Sequence, residues 1–525
     1  MNTPLINALM QGTFFAHPVT KMELIETHIS WIILTGSYAY KIKKPVDFGF
    51  LNFTSLAQRK QYCEAELNLN KRSAPDIYEG LVVISGTPEA PCLDDTSSAI
   101  EYAVRMKQFE SGQLFSELAD ADALQFADID ALAQQVSSFH KTLNPASIET
   151  NYGEPAQVFA PMEQNFTQIG ALLSDPDQRR QIEQLEEWTH STFERLTPLI
   201  TQRREDGMVR ECHGDMHLGN ITLYQEKVTL FDCIEFNDDF RWIDTISDIA
   251  FLVMDFETHG LSHYANRFLN NYLEESGDYS GLKLLNFYKS YRAIVRAKIC
   301  LLVMQDPSLD SDARAEQMKK YHQYIRLAET YTELPNRFVL TMYGISGTGK
   351  STVALRLVDQ LGAIRVRSDA ERKRLYGLNI HEHPESELSK AMYNDDANQR
   401  TYQKLAELCL EVLDSGISVI VDATNLKQWQ RDTIQNVADS RGVPLCIANC
   451  QASMAVIREW IAKRTREDYD PSDANLEIAN RQLLSRDELS LDERSHTFVI
   501  HSDIVSETLE MASTIRRLYL KNMRD

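Results

Sequence analysis

The stretch HGDMHLGN spans residues 213–220, and the stretch GISGTGKS spans residues 344–351. The first sets an aspartate, Asp215, shortly before an asparagine, Asn220, as in a kinase-type catalytic loop. The second has the form G-x-x-x-x-G-K-S, in which backbone N–H groups freed by glycines cradle phosphates. Because these two patterns occur on different folds, we predict two phosphate-handling modules joined end to end.

The composition is that of a globular protein with room for more than one core. The chain has 525 residues, of which 43% are hydrophobic, and two or three domains are expected. The net charge of -22 disfavours nucleic acid as the main partner, because phosphate backbones need clustered Lys and Arg.

Neither the cysteines nor the apolar runs indicate secretion or a membrane. The eight cysteines form no C-x-x-C pair, and no signal peptide or apolar run of spanning length is evident. We therefore expect a soluble protein of the reducing cytoplasm, with no membrane partner. The sequence gives no prediction of oligomeric state.

The periodicity of the first part changes from strands to helices. Alternating and apolar runs predict a small, mostly antiparallel sheet with one helix over residues 56–73, the strands being 29–34, 38–42, 81–85 and 99–109. Helical patterns then dominate, over residues 131–143, 162–173, 178–202, 241–257, 261–274, 281–304 and, as a polar connecting helix, 311–332.

The pattern changes again after the breaker Leu334–Asn336. Strands are predicted at 338–343, 363–367, 417–421, 445–449 and 497–501, with helices between them, the first over 352–361. Alternating strands and helices favour a parallel sheet covered on both faces. We therefore place an α+β domain at residues 1–332 and an α/β domain at 333–525, and we expect a cut near Leu334–Asn336 to give two fragments that each fold.

Three residues of the first part suit phosphoryl transfer to a hydroxyl. Asp215 is placed to accept the proton of an acceptor hydroxyl, and Asn220 is placed to bind magnesium. Asp232 follows the strand-like run 228–231 and is a second magnesium ligand.

This constellation resembles the aminoglycoside phosphotransferase family, whose loop reads H-G-D-x-H-x-x-N. His213, Gly214, Asp215, His217 and Asn220 match it, and Asp248-Ile249-Ala250 resembles that family's D-[LI]-A motif. The resemblance covers about residues 20–330. It implies a bilobal protein-kinase-like fold and ATP-dependent phosphorylation of a small-molecule hydroxyl.

The resemblance also implies a strand lysine on the phosphates and a helix glutamate paired with it. We assign Lys41, with Lys43 as its rival, and Glu66, with Glu64 next. The sequence has no full glycine-rich loop, and Thr35–Ser37 is the only candidate for a shorter equivalent.

Two patterns of the first part have a second interpretation. His213 and His217 could be a zinc pair, but no third ligand has suitable spacing, and a buried structural role for His213 is favoured. Tyr288, Arg292 and Arg296 could face an anionic substrate, but a solvated helix face is favoured.

The second part carries a complete Walker A loop in the required strand–loop–helix context. Lys350 is assigned to the terminal phosphates and Ser351 to magnesium, and the remaining nucleotide contacts to Gly344, Gly347, Thr348, Gly349 and Thr352. Asp422 ends the strand-like run 417–421 as a Walker B magnesium ligand.

An acceptor side is expected after the second strand of this part. Asp369 is assigned as the acceptor's base and Arg372 as its catalytic partner, because ligands of open α/β sheets bind at strand C-terminal ends. For a lone aspartate in this place, a helix N-cap is the alternative.

These residues resemble the zeta-toxin and polynucleotide-kinase branch of P-loop kinases, over about residues 336–525. The branch combines Asp-x-x-Arg, a Walker B Asp-Ala-Thr and an arginine-bearing lid. The resemblance implies that Arg464, with Arg458 and Arg466, forms the lid over ATP, and a solvated helix face is the alternative.

The sequence thus predicts a bifunctional kinase that uses ATP and Mg²⁺ at both sites, on small hydroxylated acceptors. Two alternatives stay open. One domain could be a nucleotide-binding regulatory module, or the chain could be a nucleic-acid end kinase.

Overall fold

A computed structural model describes residues 3–49, 51–95, 98–307, 309–382, 384, 386–467 and 476–520, without the side chains of residues 386 and 464–467. Contacts divide the chain into two compact units. The first unit comprises Met1–Ala131, Ser138–Gln168 and His190–Asp255, and the second comprises Leu132–Ser137, Ile169–Thr189 and Phe256–Asp525. The predicted boundary between residues 332 and 333 stays a prediction.

The strands are, in chain order, β1 Glu23–Glu26, β2 Ser30–Leu34, β3 Tyr38–Lys43, β4 Tyr78–Thr87, β5 Ala90–Leu93, β6 Ala99–Lys107, β7 Val209–Glu211, β8 Ile221–Tyr224, β9 Lys227–Leu230, β10 Trp242–Asp244, β11 Val339–Tyr343, β12 Ile364–Arg367, β13 Val419–Asp422, β14 Leu445–Gln451 and β15 Thr497–His501.

The helices are α1 Pro4–Leu9, α2 Leu56–Asn70, α3 Phe115–Asp120, α4 Phe126–Thr142, α5 Pro155–Leu172, α6 Pro176–Glu205, α7 Thr245–Thr258, α8 Ser262–Ser276, α9 Leu282–Val303, α10 Ser311–Thr330, α11 Lys350–Leu361, α12 Ser368–Leu375, α13 Ser386–Met392, α14 Asp395–Asp414, α15 Gln428–Arg441, α16 Met454–Glu467, α17 Leu476–Ser485, α18 Leu491–Ser495 and α19 Val505–Tyr519.

The first unit contains an antiparallel sheet of six strands in the order β1-β2-β3-β6-β4-β5. Strand β3 alternates between the two faces of this sheet. Tyr40 and Ile42 join one apolar cluster with helix α1, whereas Ala39 joins the cluster that contains Cys63 of helix α2. Because side chains two apart share a face, Lys41 and Lys43 lie on the same face as Ala39.

Two short antiparallel ladders shape the rest of the first unit. Strands β8 and β9 form a hairpin after the 213–220 loop, and β10 pairs with β7. The β10 pairing corrects one prediction: the helix expected from residue 241 begins at Thr245, because Trp242–Asp244 pair with Val209–Glu211.

The second unit contains a parallel sheet of five strands in the order β12-β13-β11-β14-β15. Except for β12, which carries Arg365 and Arg367, its strands are apolar over most of their length, as expected when both faces of a parallel sheet are covered. The core between the sheet and helices α11 and α19 includes Leu340, Met342, Leu357, Met511 and Ile515. The predicted parallel sheet is confirmed.

Helices α8, α9 and α10 also belong to the second unit, although we assigned their residues to the first domain. Helix α8 packs on α11 and β12, and α10 packs on α9. One interpretation is wrong here: Tyr288 and Arg292 are buried, so they form no solvated face. The predicted helix over 311–332 is present as α10, and it buries Tyr321 and Ile325.

Within the described ranges, no helix combines the length and the apolar character that crossing a membrane requires.

We expect fragment 336–525 to fold but to melt at a lower temperature than fragment 256–525, which restores helix α8. The reason is the loss of Glu274, whose buried carboxylate pairs with Arg365 and Arg367. Removing one partner of a buried ion pair costs about 3–5 kcal/mol. Thermal melts followed by circular dichroism measure this, and equal melting temperatures would contradict it.

Candidate active sites

Asp248, near the start of α7, fixes the 213–220 loop. Its carboxylate accepts hydrogen bonds from the backbone N–H groups of His213, at 3.0 Å, and Gly214, at 2.9 Å. The Nε2 atom of His140, on α4, lies 3.1 Å from the same carboxylate. The D-I-A motif is therefore the anchor that holds the loop in place.

The loop residue His213 and the anchor Asp248 are both buried, and burial shifts the pKa of each. Burial alone would raise the pKa of Asp248, but its contacts with His140 and His213 lower it. Burial lowers the pKa of His213, whose Nε2 lies 2.8 Å from the carbonyl oxygen of Phe231. Such contacts support the structural role favoured for His213.

Asp215 projects from the loop with its side chain 39% exposed. Asn220 donates from Nδ2 to Asp215 Oδ2, at 3.1 Å, and to its carbonyl oxygen, at 3.0 Å. The Nε2 atom of His217 lies 3.5 Å from Asp215 Oδ2. The structure thus brings the predicted base and one predicted metal ligand together, with the base open to an incoming molecule.

Lys41, Lys43 and Glu66 form one buried charge cluster. Lys41 Nζ lies 2.9 Å from Glu66 Oε1, and Lys43 Nζ lies 2.7 Å from Glu66 Oε2. Only Lys41 extends to the metal-type carboxylate, with Nζ 2.5 Å from Asp232 Oδ1, while Lys43 contacts Glu235. Burial would raise the pKa of Glu66, but the two lysines lower it to about 2.

This geometry separates the two lysines that the sequence left as rivals. Lys41 links the glutamate of α2 to Asp232, so it lies where phosphates bound at Asp232 would be. Lys43 is 1% exposed and pairs with Glu235, a residue that the sequence analysis did not select. Glu235 follows the selected Asp232 by three residues, but its pairing with Lys43 depends on the fold and has no sequence signal.

Asp232 has a left-handed backbone, with a φ of 63°. Its backbone N–H donates to the Tyr78 hydroxyl at 3.2 Å, and that of Cys233 donates to Asn70 Oδ1 at 2.8 Å. A non-glycine residue adopts this conformation only when its surroundings fix it, which is common at functional sites. Carboxylate and amide oxygens are the donors that magnesium prefers, so Asp232 and Asn220 fit that ion.

Thr35–Ser37, the candidate for a shorter glycine-rich loop, forms the turn between β2 and β3. Gly36 has a φ of 95°, and its N–H donates to Gln108 Oε1 at 2.8 Å. The turn lies at one end of the strand that carries Lys41.

Three buried residues around the loop anchor bring atoms that can bind a metal ion close together. They are His140, Cys212 and Asp248, whose ligand atoms lie within 4.8 Å of one another. Asp248 already accepts from two backbone N–H groups, and burial raises the pKa of the Cys212 thiol well above its usual range. We therefore interpret the trio as part of the loop anchor. Among the described residues, His213 and His217 join no such group.

The Walker A loop of the second unit joins β11 to α11. Gly347 and Gly349 have φ values of 85° and 77°. A Cβ atom at Gly349 would lie 2.8 Å from the Trp460 ring, so glycine is required there. Lys350, the first residue of α11, donates from Nζ to the carbonyl oxygen of Ile345 at 2.8 Å. Backbone N–H groups at a helix N-terminus then face any bound phosphate.

Asp422 ends β13, which lies next to β11 in the sheet. Its Oδ2 atom is buried and has no hydrogen-bond partner among the described residues. Arg367 and Arg365 lie 3.6 and 3.9 Å from this oxygen, too far to hydrogen-bond with it, so the oxygen keeps the capacity to bind a metal cation. With the hydroxyl-bearing Ser351 in the same cavity, Asp422 fits a magnesium ion.

One cavity of about 1050 Å³ collects most of the predicted residues of the second site. Those that line it are Gly347, Gly349, Lys350, Ser351, Thr352, Asp369, Arg372 and Asp422. Gly344 and Thr348 lie in the loop but do not line the cavity, and Thr348 is 4% exposed. The side chain of Arg464 lies outside the described residues, as does that of Arg466, and Arg458 is exposed.

Asp369 and Arg372 lie on α12, which begins at Ser368 with Arg367 in the cap position. Asp369 is therefore not the N-cap that the alternative required. Arg372 is 5% exposed, donates from Nη1 to the carbonyl oxygen of Met392 at 2.8 Å, and lies 4.8 Å from the Tyr393 ring centre. Both residues thus face the cavity from the strand-end side.

The sequence analysis missed several residues that line this cavity. They include Arg367, Tyr393, Trp460, Lys463, Arg481 and Gln482. Only Arg367 had a usable signal, since it precedes Ser368-Asp369 at the end of a predicted strand. Trp460 and Lys463 lie on α16, within the stretch whose arginines were predicted to form the lid, although these two residues were not selected. Tyr393 lies between α13 and α14, and Arg481 and Gln482 lie on α17, where the sequence pattern gave no reason to place them at a site.

Taken together, the two sites define a protein with two kinase-type phosphotransferase modules. Residues 77–285 match the family described as "Phosphotransferase enzyme family", and residues 339–489 match the family described as "AAA domain". These matches confirm both resemblances: the N-terminal part has a kinase-like fold, and the C-terminal part is a P-loop kinase-like domain with a parallel sheet. Families of both kinds generally use ATP and Mg²⁺.

Relatives with the same two-part extent are found in mycobacteria. The chain is 28% identical over 472 residues to the uncharacterized protein Rv2004c of Mycobacterium tuberculosis (strain ATCC 25618 / H37Rv). The aligned region covers 89% of this chain and 91% of that protein. The uncharacterized protein Mb2027c of Mycobacterium bovis matches with the same identity and coverage.

Solved structures resemble one part of the chain or the other. A sugar kinase from Janibacter sp. HTCC2649 is 24% identical and covers 34% of this chain and 94% of its own, with a TM-score of 0.26. The amicoumacin kinase hAmiN is 14% identical and covers 61% of this chain and 93% of its own, with a TM-score of 0.39.

Asp248→Asn should loosen the 213–220 loop. The amide of asparagine is neutral and has only one acceptor oxygen, so it cannot replace both carboxylate oxygens that accept from the two backbone N–H groups. Hydrogen bonds to charged groups contribute about 1.5–3 kcal/mol to stability. We expect amide hydrogen exchange at His213 and Gly214 to become about 10- to 100-fold faster. Exchange in β11 is the internal control, and Asp239→Asn, an exposed carboxylate, is the control variant. Unchanged exchange at the loop would contradict the anchoring role.

Proposed function

We propose that this chain is a bifunctional ATP-dependent phosphotransferase, in which each site transfers the γ-phosphoryl group of ATP to a hydroxyl of a small-molecule acceptor. One observation carries the proposal. Each unit has its own acceptor-side carboxylate, its own metal-type carboxylate and its own phosphate-directed lysine: Asp215, Asp232 and Lys41 in the first, and Asp369, Asp422 and Lys350 in the second.

In the first site, Asp215 accepts the proton of the acceptor hydroxyl, and its exposed carboxylate supports this role. Asn220 orients that carboxylate by donating to it, and Asn220 and Asp232 would hold magnesium. Lys41, fixed by Glu66, would contact the phosphates. A general base of this kind contributes about 10²–10⁴-fold to the rate.

In the second site, the Walker A backbone and Lys350 would hold the phosphates of ATP, and Ser351 and Asp422 would hold magnesium. Asp369 accepts the proton of the second acceptor, and Arg372 lies beside it to bind the charge that develops during transfer. When bound, magnesium neutralises the phosphates and orients the transferred group.

The two sites would act on small acceptors in the cytoplasm. All eight cysteines are free thiols, which fits a reducing compartment. The net charge of -22 fits small acceptors better than a nucleic-acid end. Joining two kinases in one chain raises the effective concentration of an intermediate that both use.

A metabolite extract with labelled ATP tests the proposal. The wild type should label at least two products, and Asp215→Ala and Asp369→Ala should each remove a different one. If only one of these variants changes the products, the other site is a regulatory nucleotide-binding module. If the wild type labels no metabolite but labels the 5′ ends of oligonucleotides, the chain is a nucleic-acid end kinase.

Asp215→Ala should reduce transfer to the first site's acceptor by about 10²–10⁴-fold, because the acceptor loses its base. Nucleotide binding at the second site should be unchanged. Initial rates with the purified acceptor measure the effect, and Glu149→Ala, which removes an exposed carboxylate of the first unit, is the control. A wild-type rate in Asp215→Ala would show that the base is misassigned.

Lys350→Ala should remove one of two nucleotide sites from the intact chain. The side chain would contact phosphate and is not part of the apolar core, so the fold should persist. Isothermal titration with a non-hydrolysable ATP analogue and Mg²⁺ should give a stoichiometry that falls from two per chain to one. Lys319→Ala, at a lysine whose side chain is 78% exposed on α10, should keep the stoichiometry of two. Two retained sites in Lys350→Ala would overturn the assignment.

A further inference from the structure

Two buried arginines lie directly beside the Walker B aspartate. Strand β12 pairs with β13 in a register that sets Arg367 opposite Asp422. Arg365 and Arg367 lie two apart on β12 and therefore share a face of the strand. They are 4% and 8% exposed.

Both guanidinium groups are close to Asp422 but closer to another carboxylate. Arg367 Nε lies 3.6 Å, and Arg365 Nη1 3.9 Å, from Asp422 Oδ2. Glu274 is nearer, with Oε2 2.6 Å from Arg365 Nη2 and Oε1 2.9 Å from Arg367 Nη1. Burial would raise the pKa of Glu274, but the two arginines lower it to about 2, so it is ionised.

Glu274 lies on helix α8, which comes before the P-loop segment by some 60 residues of chain and is packed firmly on it. Asn270 Oδ1 accepts from the backbone N–H of Arg365 at 2.8 Å. Arg267 pairs with Asp359 at 3.3 Å, and a Cβ atom at Gly362 would lie 3.3 Å from Asn266. The helix is therefore held in one register against β12 and α11, and Glu274 has a fixed position.

The charges of these four groups sum to zero, because two arginines lie beside two carboxylates, those of Glu274 and Asp422. If Glu274 lost its charge, Asp422 would still be a carboxylate within 4.0 Å of both guanidinium groups. Buried cations without a counter-charge are costly, so the arginines would then pair with Asp422 Oδ2. That oxygen is the one that has no hydrogen-bond partner among the described residues.

Arg365 also contacts the other predicted magnesium ligand. Its Nη1 donates to the carbonyl oxygen of Ser351 at 3.2 Å. The position of one guanidinium group is thus tied both to Ser351 and to Asp422, and Glu274 fixes that position.

We propose that Glu274, on a helix outside the P-loop segment, is a positioning residue for the magnesium–nucleotide site of the second unit. By pairing with Arg365 and Arg367, it keeps both cations off Asp422 and leaves that carboxylate available to the metal. The inference rests on the proposed function of the second site as a nucleotide site. It makes the P-loop site incomplete without α8.

The test compares magnesium-dependent and magnesium-free binding of ADP by the intact chain. All proteins carry Lys41→Ala, which removes the lysine assigned to the phosphates of the first site, so that binding with and without magnesium reports the second site. In Glu274→Gln, affinity for ADP with Mg²⁺ should fall about 10- to 100-fold, the usual effect of losing a group that orients metal ligands. Affinity for ADP in EDTA should stay the same or rise, because the site becomes more positive.

Two further variants separate charge balance from packing. Glu274→Gln combined with Arg365→Gln and Arg367→Gln also removes both cations that would otherwise pair with Asp422. This triple variant should therefore recover the magnesium-dependent affinity, and it keeps the test open if Glu274→Gln alone does not fold. Glu275→Gln is the matched control, since its carboxylate neighbours Glu274 in sequence but pairs with His381, at 2.6 Å. It should bind ADP like the parent in both conditions.

The outcomes distinguish the inference from the proposed function. Equal magnesium-dependent affinity in Glu274→Gln and the parent overturns the inference alone. So does an equal loss with and without magnesium, or a triple variant that folds but stays weak, because either marks a purely structural role. A parent protein that binds no ADP in either condition overturns the proposed nucleotide site and the inference with it.

Discussion

The need to pair buried charges controls both units of this protein. Taking an ion out of water costs several kcal/mol, which only a close counter-charge offsets. Lys41 and Lys43 on β3 therefore require Glu66, and Arg365 and Arg367 on β12 require Glu274. In each case two cations on one strand face hold a helix carboxylate, which fixes the helix register against the sheet.

The same arrangement recurs at the two metal-type carboxylates, on unrelated folds. In the first unit, Lys41 lies between Glu66 and Asp232. In the second, Arg367 lies between Glu274 and Asp422. The distances differ between the two units. Lys41 Nζ is nearer to Asp232, at 2.5 Å, than to Glu66, at 2.9 Å, whereas Arg367 is nearer to Glu274, at 2.9 Å, than to Asp422, at 3.6 Å. In both units one cation is thus shared between a buried helix carboxylate and the carboxylate assigned to magnesium.

Sequence patterns predicted the parts of both sites that are local. The 213–220 loop, the Walker A loop and the strands that precede Asp232 and Asp422 are short segments whose residue types and spacing carry their chemistry. Lys41 and Lys43 could not be separated from sequence, because both lie on one strand face and both contact Glu66. Glu274 had no signal at all, since its partners come much later in the chain. The burial of Glu274 makes its ion pairs important, and a helical sequence pattern does not show that burial.

Motifs are local in sequence, whereas buried ion pairs join residues that are distant in sequence. The boundaries of motifs and of compact units therefore need not coincide. The resemblance to aminoglycoside phosphotransferases extends to about residue 330, yet helices α8 to α10 belong to the second compact unit. Helix α7 carries Asp248, the anchor of the first catalytic loop, and ends in the second unit. Motifs identify the residues that carry chemistry, whereas buried ion pairs identify the residues that must fold together. Helix α8 lies within the residues that match the phosphotransferase family, yet its Glu274 pairs with Arg365 and Arg367 beside the P-loop site. Sequence motifs alone therefore do not mark which residues fold with that site.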